Sequence, residues 1–375
     1  MKAVILAGGY ATRLRPLSCS NPKLLFPVVG VPLIDLMVRW LKQAGIDDVI
    51  LAVNHLSDKL RTEIGAKRLG SKITFSIEEN PLGTAGPIRL AKNFLGDEPF
   101  VVINGDIVSD VNLKQMIRSH EENNAKATVS LVTVPDARQY GAAELNQAGR
   151  ITKFEEKSAQ RKSQTVNAGV YVLDPSIIHL IPPARPSSME SMIFPRLASE
   201  GSIWGQKHAG YWYDIGTIPN YLKANKELLV RFHNTSPSKL AQHERPGQSK
   251  PAAFMGDRVA FQLLERQSGP GIPVNGVSIT QPCFIGEAST LRPGASIGPS
   301  TILARGVNVD HGSKVRDSII FEYTSIAGDC HIDGAIIGER VSIGSGTKIG
   351  PGAIIAGEVN IPSNSIIKQK AIVLN

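Results

Sequence analysis

The sequence predicts an α/β fold in its first part, a Rossmann-like and mostly parallel mixed sheet with helices on both faces, and then a left-handed parallel β-helix. Apolar strand-like runs alternate with helix-like segments up to residue 231. Past residue 252, aliphatic residues recur at every sixth position. The polar stretch between them has prolines and no periodicity, which is typical of a linker. We therefore predict an α/β domain at 1–231, a linker at 232–252 and a β-helix at 253–375.

The α/β domain is predicted to contain six main strands, each followed by helix-like sequence or a turn. Strands separated by helices form βαβ units, and such units build parallel sheets. Ligands of these sheets bind beyond the carboxyl ends of the strands. Gly8 and Asp106 each come just after a predicted strand, so we expect them on one rim. The predicted strands are 2–7, 48–53, 72–77, 99–103, 126–134 and 165–173, and the predicted helices are 32–44, 57–69, 85–95, 112–124, 190–200 and 219–231.

The six-residue period in the last part of the chain predicts a three-sided coil. Neither an α-helix nor an extended strand has this period, whereas a coil with one inward aliphatic residue per side does. A β-sandwich with frequent glycine turns would alternate with period two instead. We expect roughly five coils and one phase slip near 328–336, at a loop or a changed corner. The predicted inward residues are Ile279, Ile285, Leu291, Ile297, Leu303, Val309, Val315, Phe321 and Ala327, then Ile337, Ile343, Ile349, Ile355, Ile361, Ile367 and Val373.

Composition and charge narrow the class of protein. The chain has 375 residues, of which 42% are hydrophobic and 20% charged, as in globular proteins with room for two cores. Its net charge of +8 suits an acidic ligand, but no run of five basic residues occurs, so we expect no nucleic acid partner. Three distant cysteines, Cys19, Cys283 and Cys330, predict a reducing cytoplasm rather than a disulfide framework. The opening apolar run is too short for a signal peptide or a membrane span, so no membrane partner is expected.

The loop after the first strand predicts a phosphate site. Gly8 and Gly9 leave their backbone N–H groups open to a close phosphate, because no side chain blocks the approach. Arg13, Arg15 and Lys23 add three cations, and the combination favours a nucleoside triphosphate. The loop is neither of the two common glycine-rich phosphate motifs. The residues predicted to bind the nucleotide here are Leu6, Ala7, Gly8, Gly9, Arg13 and Lys23.

The whole string around this loop resembles a known family. GGYATRLRPL at 8–17 and PKLLFPVVGVPL at 22–33 are similar to the signature of the sugar-1-phosphate nucleotidyltransferases, or nucleotide-sugar pyrophosphorylases. The family usually has glycine where this chain has Ala11. The resemblance spans essentially the whole chain. It implies an enzyme that joins a nucleoside triphosphate to a hexose-1-phosphate with Mg²⁺ and releases pyrophosphate.

Two carboxylates are candidate magnesium ligands through the same resemblance. Asn104-Gly105-Asp106 is similar to the family's G-D metal site. GYWYDIGT at 210–217 is similar to its W-x-D-I-G-T element, which implies Asp214 as the second ligand. Carboxylate oxygens are the ligands that hard divalent cations prefer. Taken alone, the first motif is more often a turn, and Asp214 is equally typical of a helix cap.

The predicted sugar site also comes from the resemblance. Glu155-Glu156-Lys157 matches a pair in which Glu156 would accept hydrogen bonds from sugar hydroxyls and Lys157 would hold the attacking phosphate. The family often has proline next, where this chain has Ser158. Tyr140-Gly141 and the segment 167–171 resemble further sugar-binding elements. The residues implied are Gly141, Glu156, Asn167 and Gly169, with Arg13, Lys23, Asp106, Lys157 and Asp214 as the catalytic set.

The segment 78–86 resembles the family's nucleobase loop, with Gly83 and Thr84 beside the base. Glu78 stands where thymidylyl-type members tend to carry glutamine. A carboxylate accepts two hydrogen bonds from the N1–H and N2–H groups of guanine, whereas uracil and thymine offer one donor, so Glu78 favours GTP. Segments 82–87 and 191–198 look closer to mannose-1-phosphate guanylyltransferases, which favours mannose-1-phosphate as the sugar.

Several alternatives stay open on the sequence. One is a uridylyl- or thymidylyltransferase acting on glucose-1-phosphate. A second adds acyltransferase activity in the β-helix, with His311 or His331 as base. A third is a regulatory subunit that binds a nucleotide sugar without catalysis, against which the complete catalytic set argues. The β-helix is also expected to form a homo-oligomer.

Overall fold

The computed structural model describes residues 1–54, 58–67, 70–156, 163–234 and 276–374. The chain forms two compact units, one of residues 1–10 and 37–214, the other of residues 11–36 and 215–375. The segment that carries Arg13 and Lys23 thus belongs to the second unit. Most of the predicted linker at 232–252 lies outside the described residues, so the predicted division at 231 and 253 stays a prediction.

Strands and helices alternate through much of residues 1–234. The strands are β1 Ala3–Ala7, β2 Pro27–Val28, β3 Val31–Pro32, β4 Asp48–Asn54, β5 Lys72–Glu78, β6 Phe100–Asn104, β7 Ile107–Ser109, β8 Ala127–Thr133, β9 Ala142–Leu145, β10 Ile151–Glu155, β11 Thr165–Leu173, β12 Ile203–Lys207 and β13 Trp212–Asp214. The helices are α1 Leu17–Ser20, α2 Leu33–Gln43, α3 Asp58–Lys67, α4 Gly86–Leu90, α5 Lys92–Leu95, α6 Leu113–Glu122, α7 Ile177–Leu180, α8 Phe194–Ser199 and α9 Ile218–Asn234. Thr12–Leu14 and Lys23–Leu25 are single 3₁₀ turns, and Met189–Ile193 is a π-helical turn before α8.

The first unit is built on a nine-stranded mixed sheet. Its main path runs β10-β9-β11-β6-β1-β4-β5, with β8 beside β11 and β12 beside β8. Strands β6, β1, β4 and β5 are parallel, and β11 runs antiparallel to β6. The predicted Rossmann-like, mostly parallel mixed sheet is confirmed. All six predicted strands are present within one residue at either end, because their apolar runs are long and buried.

Two predicted helices are each divided in the structure. The predicted helix 85–95 becomes α4 and α5, which meet at Ala91. The predicted helix 190–200 becomes the π-helical turn and then α8, whose first turn contains Pro195. Proline lacks the N–H that an unbroken helix would use, so the hydrogen-bond pattern changes there. Ser188 caps the start by accepting hydrogen bonds from the N–H groups of Glu190 and Ser191.

The core of the first unit lies between the sheet and the helices around α4 and α8. Phe194 of α8 packs edge-on against Phe154 and Tyr171, with ring centroids 5.1 Å apart in both pairs. Val4 of β1 and Val102 of β6 belong to the same buried cluster. This packing holds the carboxyl ends of the central strands in place, which matters because the candidate site lies there.

The second unit contains the predicted β-helix, and its three parallel sheets confirm it. Two faces have six strands and the third has five, so the structure has about one coil more than the roughly five predicted. The first face is β14 Ser278–Ile279, β17 Ser296–Ile297, β20 Lys314–Arg316, β23 His331–Asp333, β26 Lys348–Ile349 and β29 Ile366–Ile367. The second is β15 Cys283–Ile285, β18 Thr301–Leu303, β21 Ile319–Ile320, β24 Ile336–Ile337, β27 Ile354–Ile355 and β30 Ile372–Val373, and the third is β16 Thr290–Leu291, β19 Asn308–Val309, β22 Ser325–Ile326, β25 Ser342–Ile343 and β28 Asn360–Ile361.

The phase slip predicted near 328–336 is present, from Ile332 to Ile337, but it is not the only one in the described coils. The inward stack takes two five-residue steps, from Val315 to Ile320 and from Ile332 to Ile337. Both steps lie between the first and second faces, so the middle coils are one residue shorter than the outer ones. Consequently Ile320 and Ile326, rather than Phe321 and Ala327, fill the inward positions of that coil. Phe321, the residue after β21, is nevertheless fully buried, outside the inward stack.

Among the described helices, none combines the length and the apolar character needed to cross a bilayer.

Candidate active site

The carboxyl ends of four parallel strands lie at one edge of the sheet in the first unit. The register pairs Leu6 of β1 with Asn104 of β6, and Asn54 of β4 with Glu78 of β5. The Asn54 side-chain amide donates a hydrogen bond of 3.1 Å to the carbonyl of Gly8. Gly8 and the turn to Asp106 therefore come to the same edge, as the sequence predicts, and Glu78 lies there too.

Glu78 bridges the predicted phosphate loop and the predicted nucleobase loop. A Cβ added to Gly8 would lie 1.6 Å from Oε1 of Glu78, so only glycine allows this contact. Oε2 of Glu78 accepts a hydrogen bond of 3.1 Å from the N–H of Leu82. The residue is 5% exposed, and burial raises the pKa of its carboxyl while the Leu82 N–H partly opposes that shift. Each carboxylate oxygen has two lone pairs, so Oε2 retains capacity for a second donor.

The nucleobase loop is held by the segment before the π-helical turn. Gly83 has φ +76°, and a Cβ there would lie 2.4 Å from the carbonyl oxygen of Ser187. The loop and Ser187 also exchange two backbone hydrogen bonds, from Ala85 N and to Leu82 O, each 2.9 Å long. Both the left-handed conformation and the close approach require glycine at this position.

Glu190 is a site residue that the sequence analysis missed. Its carboxylate accepts hydrogen bonds from the hydroxyls of Thr84 at 2.5 Å, Ser188 at 2.9 Å and Tyr171 at 3.3 Å, and the residue is only 9% exposed. The Tyr171 hydroxyl in turn accepts a hydrogen bond of 2.8 Å from the side-chain amide of Asn167. Glu190 thus connects the predicted nucleobase loop to the predicted sugar site. Nothing local in the sequence marks it, because Thr84 and Tyr171, the two partners that give it this role, are distant in the chain.

Replacing Glu190 by Gln is expected to loosen both sub-sites at once. The glutamine amide would turn a donor toward hydroxyls that now donate, which leaves a buried polar group unsatisfied at a cost of about 1–3 kcal/mol. We expect a lower free energy of unfolding by that amount and a raised KM for both substrates, measured by thermal melts and pyrophosphate release. Thr84→Ser keeps the hydroxyl and is the matched control. An increase in the KM of only one substrate would contradict the bridging role.

The predicted sugar-binding residues lie close together. Asn167 donates its backbone N–H to the carbonyl of Gly141 at 2.8 Å, and its Oδ1 accepts 2.9 Å from the N–H of Gly169. Gly169 has φ +73°, and a Cβ there would lie 2.8 Å from Nδ2 of Asn104. A Cβ on Gly141 would lie 3.0 Å from Oε2 of Glu156. All four residues therefore border one region beside β6.

A two-stranded ladder brings the two predicted metal ligands together. Strand β13 runs antiparallel to β7 and pairs Asp214 with Ile107, the residue after Asp106. Asp214 ends this strand, so the alternative of a helix cap is wrong. Beyond the other end of the ladder, His208 Nε2 lies 2.9 Å from Oδ1 of Asp110, and both side chains are buried. The indole N–H of Trp212 donates 2.8 Å to the carbonyl of Ala168, which ties β13 to the sugar site.

The carboxylate pair fits a magnesium ion in the chemistry of its donors. Mg²⁺ commonly takes one or two protein carboxylates and fills its remaining positions with water and substrate phosphates. Asp106 and Asp214 supply such a pair, and the described residues hold no cluster of three or more His, Cys, Asp or Glu suited to a metal. Oδ1 of Asn104 is buried at the same edge and accepts no hydrogen bond from the described part of the chain. An oxygen acceptor is therefore available to a ligand there.

Two of the predicted cations, Arg13 and Lys23, belong to the second unit. Arg13 is in the first 3₁₀ turn of the second unit, and Lys23 is in the next one. The preceding Ala11 has φ 48°, a left-handed conformation, at the position where the resembling family usually has glycine. Alanine thus keeps the backbone turn at a modest energetic cost. Lys157 lies outside the described residues.

Comparison with known proteins agrees with this arrangement. Residues 2–231 match the family model described as nucleotidyl transferase, and residues 279–375 match the model described as GMPPB C-terminal domain. "Mannose-1-phosphate guanylyltransferase 1" of Arabidopsis thaliana is 32% identical over 100% of this chain and 96% of its own length. "Mannose-1-phosphate guanylyltransferase catalytic subunit beta" of Danio rerio is 32% identical over 99% of this chain and 97% of its own.

Two solved structures share the fold over 60–66% of the chain. A putative glucose-1-phosphate thymidylyltransferase from Bacillus anthracis, in complex with a sucrose, matches 66% of this chain and 98% of its own. Its TM-score is 0.55 at 26% identity. HddC from Yersinia pseudotuberculosis, complexed with GMP-PN, matches 60% of this chain and 98% of its own, with a TM-score of 0.53 at 29% identity.

The fold and the site define a nucleotidyltransferase. More narrowly, the chain belongs to the sugar-1-phosphate nucleotidyltransferase family, and its full-length relatives are mannose-1-phosphate guanylyltransferases. The resemblance found in the sequence is confirmed.

Proposed function

We propose that this protein makes GDP-mannose and pyrophosphate from GTP and mannose-1-phosphate. The observation that carries the proposal is the ladder between β7 and β13, which brings Asp106 and Asp214 together beside the predicted sugar site. Full-length relatives named for this activity support the choice of both substrates.

The reaction is a substitution at the α-phosphorus of the triphosphate. An oxygen of the sugar phosphate forms the new bond to phosphorus, the bond to the β-phosphate bridge breaks, and pyrophosphate leaves with the electron pair. No general base is needed, since the attacking oxygen is already anionic. The protein contributes mainly by positioning and by stabilising charge. In this scheme Arg13 and Lys23 bind the triphosphate, Lys157 holds the attacking phosphate, and Glu156 and Asn167 accept or donate hydrogen bonds to the sugar hydroxyls.

Asp106 and Asp214 would hold the magnesium ion. When bound, Mg²⁺ neutralises negative charge on the triphosphate and its leaving group. The two aspartates take no part in proton transfer in this scheme. Their role is to fix one end of the triphosphate relative to the sugar phosphate.

Glu78 is proposed to recognise guanine. Its buried carboxylate lies between the phosphate loop and the nucleobase loop, in contact range of both. Two parallel N–H donors of guanine match two carboxylate oxygens. Uracil and thymine would set a carbonyl oxygen against one of those oxygens, which repels.

The deciding experiment is a matrix of GTP, UTP, dTTP and ATP against mannose-, glucose- and galactose-1-phosphate, with Mg²⁺, scored by pyrophosphate release. We expect GTP with mannose-1-phosphate to give the highest kcat/KM. A higher value for UTP or dTTP with glucose-1-phosphate would support the uridylyl or thymidylyl alternative. No turnover with any pair, together with tight binding of GDP-mannose, would support a regulatory subunit.

Two further parts of the proposal concern the cellular compartment and the oligomeric state. The three cysteines are free, which is consistent with the reducing cytoplasm expected from the sequence. We also propose that the chain forms a homo-oligomer through the β-helix. Light scattering of the full-length protein tests this, and a monomer at micromolar concentration would refute it.

A further inference from the structure

Within the second unit, the segment that carries Lys23 packs on the β-helix through three aromatic rings. Phe26 lies 5.4 Å from Phe321 and 5.6 Å from Tyr221 of α9 between ring centroids, and Tyr221 lies 6.2 Å from Phe321. All three side chains are fully buried and meet edge to face. We call them the ring cluster. Aromatic pairs in this geometry stabilise beyond the area they bury.

Two hydrogen bonds from α9 hold the turn that follows Phe26. The Tyr221 hydroxyl donates 2.6 Å to the carbonyl of Pro27, and Oδ1 of Asn225 accepts 2.7 Å from the N–H of Val29. Val29 has a left-handed φ of 47°, uncommon for a β-branched residue, so its surroundings must hold it there. At Gly30, an added Cβ would lie 1.9 Å from the ring of Phe284 in the β-helix.

The ring cluster connects directly to Lys23. The N–H of Phe26 donates 3.0 Å to the carbonyl of Lys23, closing the 3₁₀ turn Lys23–Leu25. Leu24 and Leu25 within that turn are buried as well. A displaced Phe26 ring would therefore move the backbone from which the Lys23 side chain extends.

The coil geometry explains why Phe321 is available for this contact. Ile320 fills the inward position at the end of its strand, and Phe321, the next residue, lies outside the inward stack and contacts Phe26 and Tyr221. The five-residue step from Val315 to Ile320 determines that Ile320, and not Phe321, takes the inward position. An unbroken six-residue repeat would have turned Phe321 into the coil.

We propose that Phe321 is a positioning residue for Lys23, through which the β-helix sets the affinity of the enzyme for its triphosphate. The inference rests on the proposed function, which assigns Lys23 to the triphosphate. A β-helix that served only for assembly would leave nucleotide affinity independent of this side chain.

The test compares Phe321→Leu with Ile343→Ala, a core truncation in the same β-helix outside the ring cluster. Measurements are the melting temperature, the Kd for GTP, the KM for mannose-1-phosphate and amide hydrogen exchange over 11–36. For Phe321→Leu we expect about a five- to tenfold weaker GTP affinity, a sugar KM within twofold and faster exchange over 22–29. Ile343→Ala is expected to lower the melting temperature without these changes.

A second variant covers the case in which Phe321→Leu does not fold. Tyr221→Phe keeps the ring and removes only the hydroxyl that donates to Pro27, and it should weaken GTP binding in the same direction by a smaller factor. Equal loss of GTP affinity in Ile343→Ala, or wild-type affinity in both ring-cluster variants, would overturn the proposal.

Lys23→Gln separates this inference from the proposed function. It should weaken GTP binding at least as much as Phe321→Leu while exchange over 22–29 stays as in wild type. Unchanged GTP affinity in Lys23→Gln would show that Lys23 does not bind the triphosphate. The β-helix could then not act on GTP affinity through this residue. A lack of turnover with every substrate pair would refute the enzyme itself, which GTP binding and exchange do not test.

Discussion

Asp106→Asn is expected to lower kcat for pyrophosphate release about 10²–10³-fold and to leave the fold intact. The asparagine keeps the size of the side chain but removes the negative charge that a divalent cation requires. Because β13 pairs Asp214 with the neighbour of Asp106, Asp214→Asn should give a loss of similar size. The double variant should lose little more than either single one, since both residues serve one ion and such effects are not additive.

The measurement is steady-state pyrophosphate release at several Mg²⁺ concentrations, with circular dichroism and thermal melts to verify folding. Each single variant should also need more Mg²⁺ for half-maximal rate. Asp136→Asn is the matched control, because Asp136 is an exposed carboxylate paired with Arg138. Near-normal turnover in Asp106→Asn, or additive losses in the double variant, would remove the pair from the proposed metal site.

Glu78→Gln is expected to weaken the preference for GTP and to raise the stability of the fold at neutral pH. A hydrogen bond to a charged group contributes about 1.5–3 kcal/mol, so the loss of the carboxylate should raise the KM for GTP about tenfold or more. The amide can both donate and accept, which removes the repulsion toward uracil and thymine. The ratio of kcat/KM for GTP over UTP should therefore fall about 10–100-fold.

The same substitution should stabilise the fold at neutral pH. The pKa of Glu78 is raised in the folded protein by burial, so the folded state binds its proton more tightly than the unfolded chain does. Stability from this group is full below the unfolded pKa and is lost as the pH rises through the folded pKa. Glu78→Gln removes that loss, so its melting temperature should exceed that of wild type at pH 7 and approach it in acid. GTP affinity of wild type should fall as the pH drops through the raised pKa.

The neighbouring Glu79 provides the control for both effects. It is exposed, so Glu79→Gln should change neither the nucleotide ratio nor the melting temperature. If both substitutions shift the ratio equally, the effect reflects the charge of the loop rather than contact with the base. If Glu78→Gln leaves the ratio unchanged, Glu78 is a structural bridge only.

The position of the candidate site at the carboxyl ends of the strands could be predicted, because it depends on local patterns. Long buried runs mark β1, β4 and β6, and the residues after them must share one rim. Asp214 could be placed on the metal site only through its resemblance to a family element. The ladder that brings it to Asp106 consists of two three-residue strands, which carry too little periodicity to be found in the sequence.

The features that the sequence analysis did not predict depend on contacts between residues that are distant in the chain. Glu190 acquires its role from Thr84 and Tyr171, which no local window contains. Phe321 fits a six-residue repeat, so the pattern predicts it inside the coil. In the structure the inward position is taken by Ile320, and Phe321 contacts Phe26 instead, a residue far away in the chain.

The ring cluster also bears on how the protein is made. Phe26 emerges from the ribosome long before Phe321, because almost three hundred residues separate them in the chain. The turn beside Lys23 therefore stays incomplete until the β-helix coil that carries Phe321 has been made, and its closure is a non-local event in folding. A nascent chain that has built only the central sheet would still lack the proposed support for Lys23, so we expect activity only after that coil has formed.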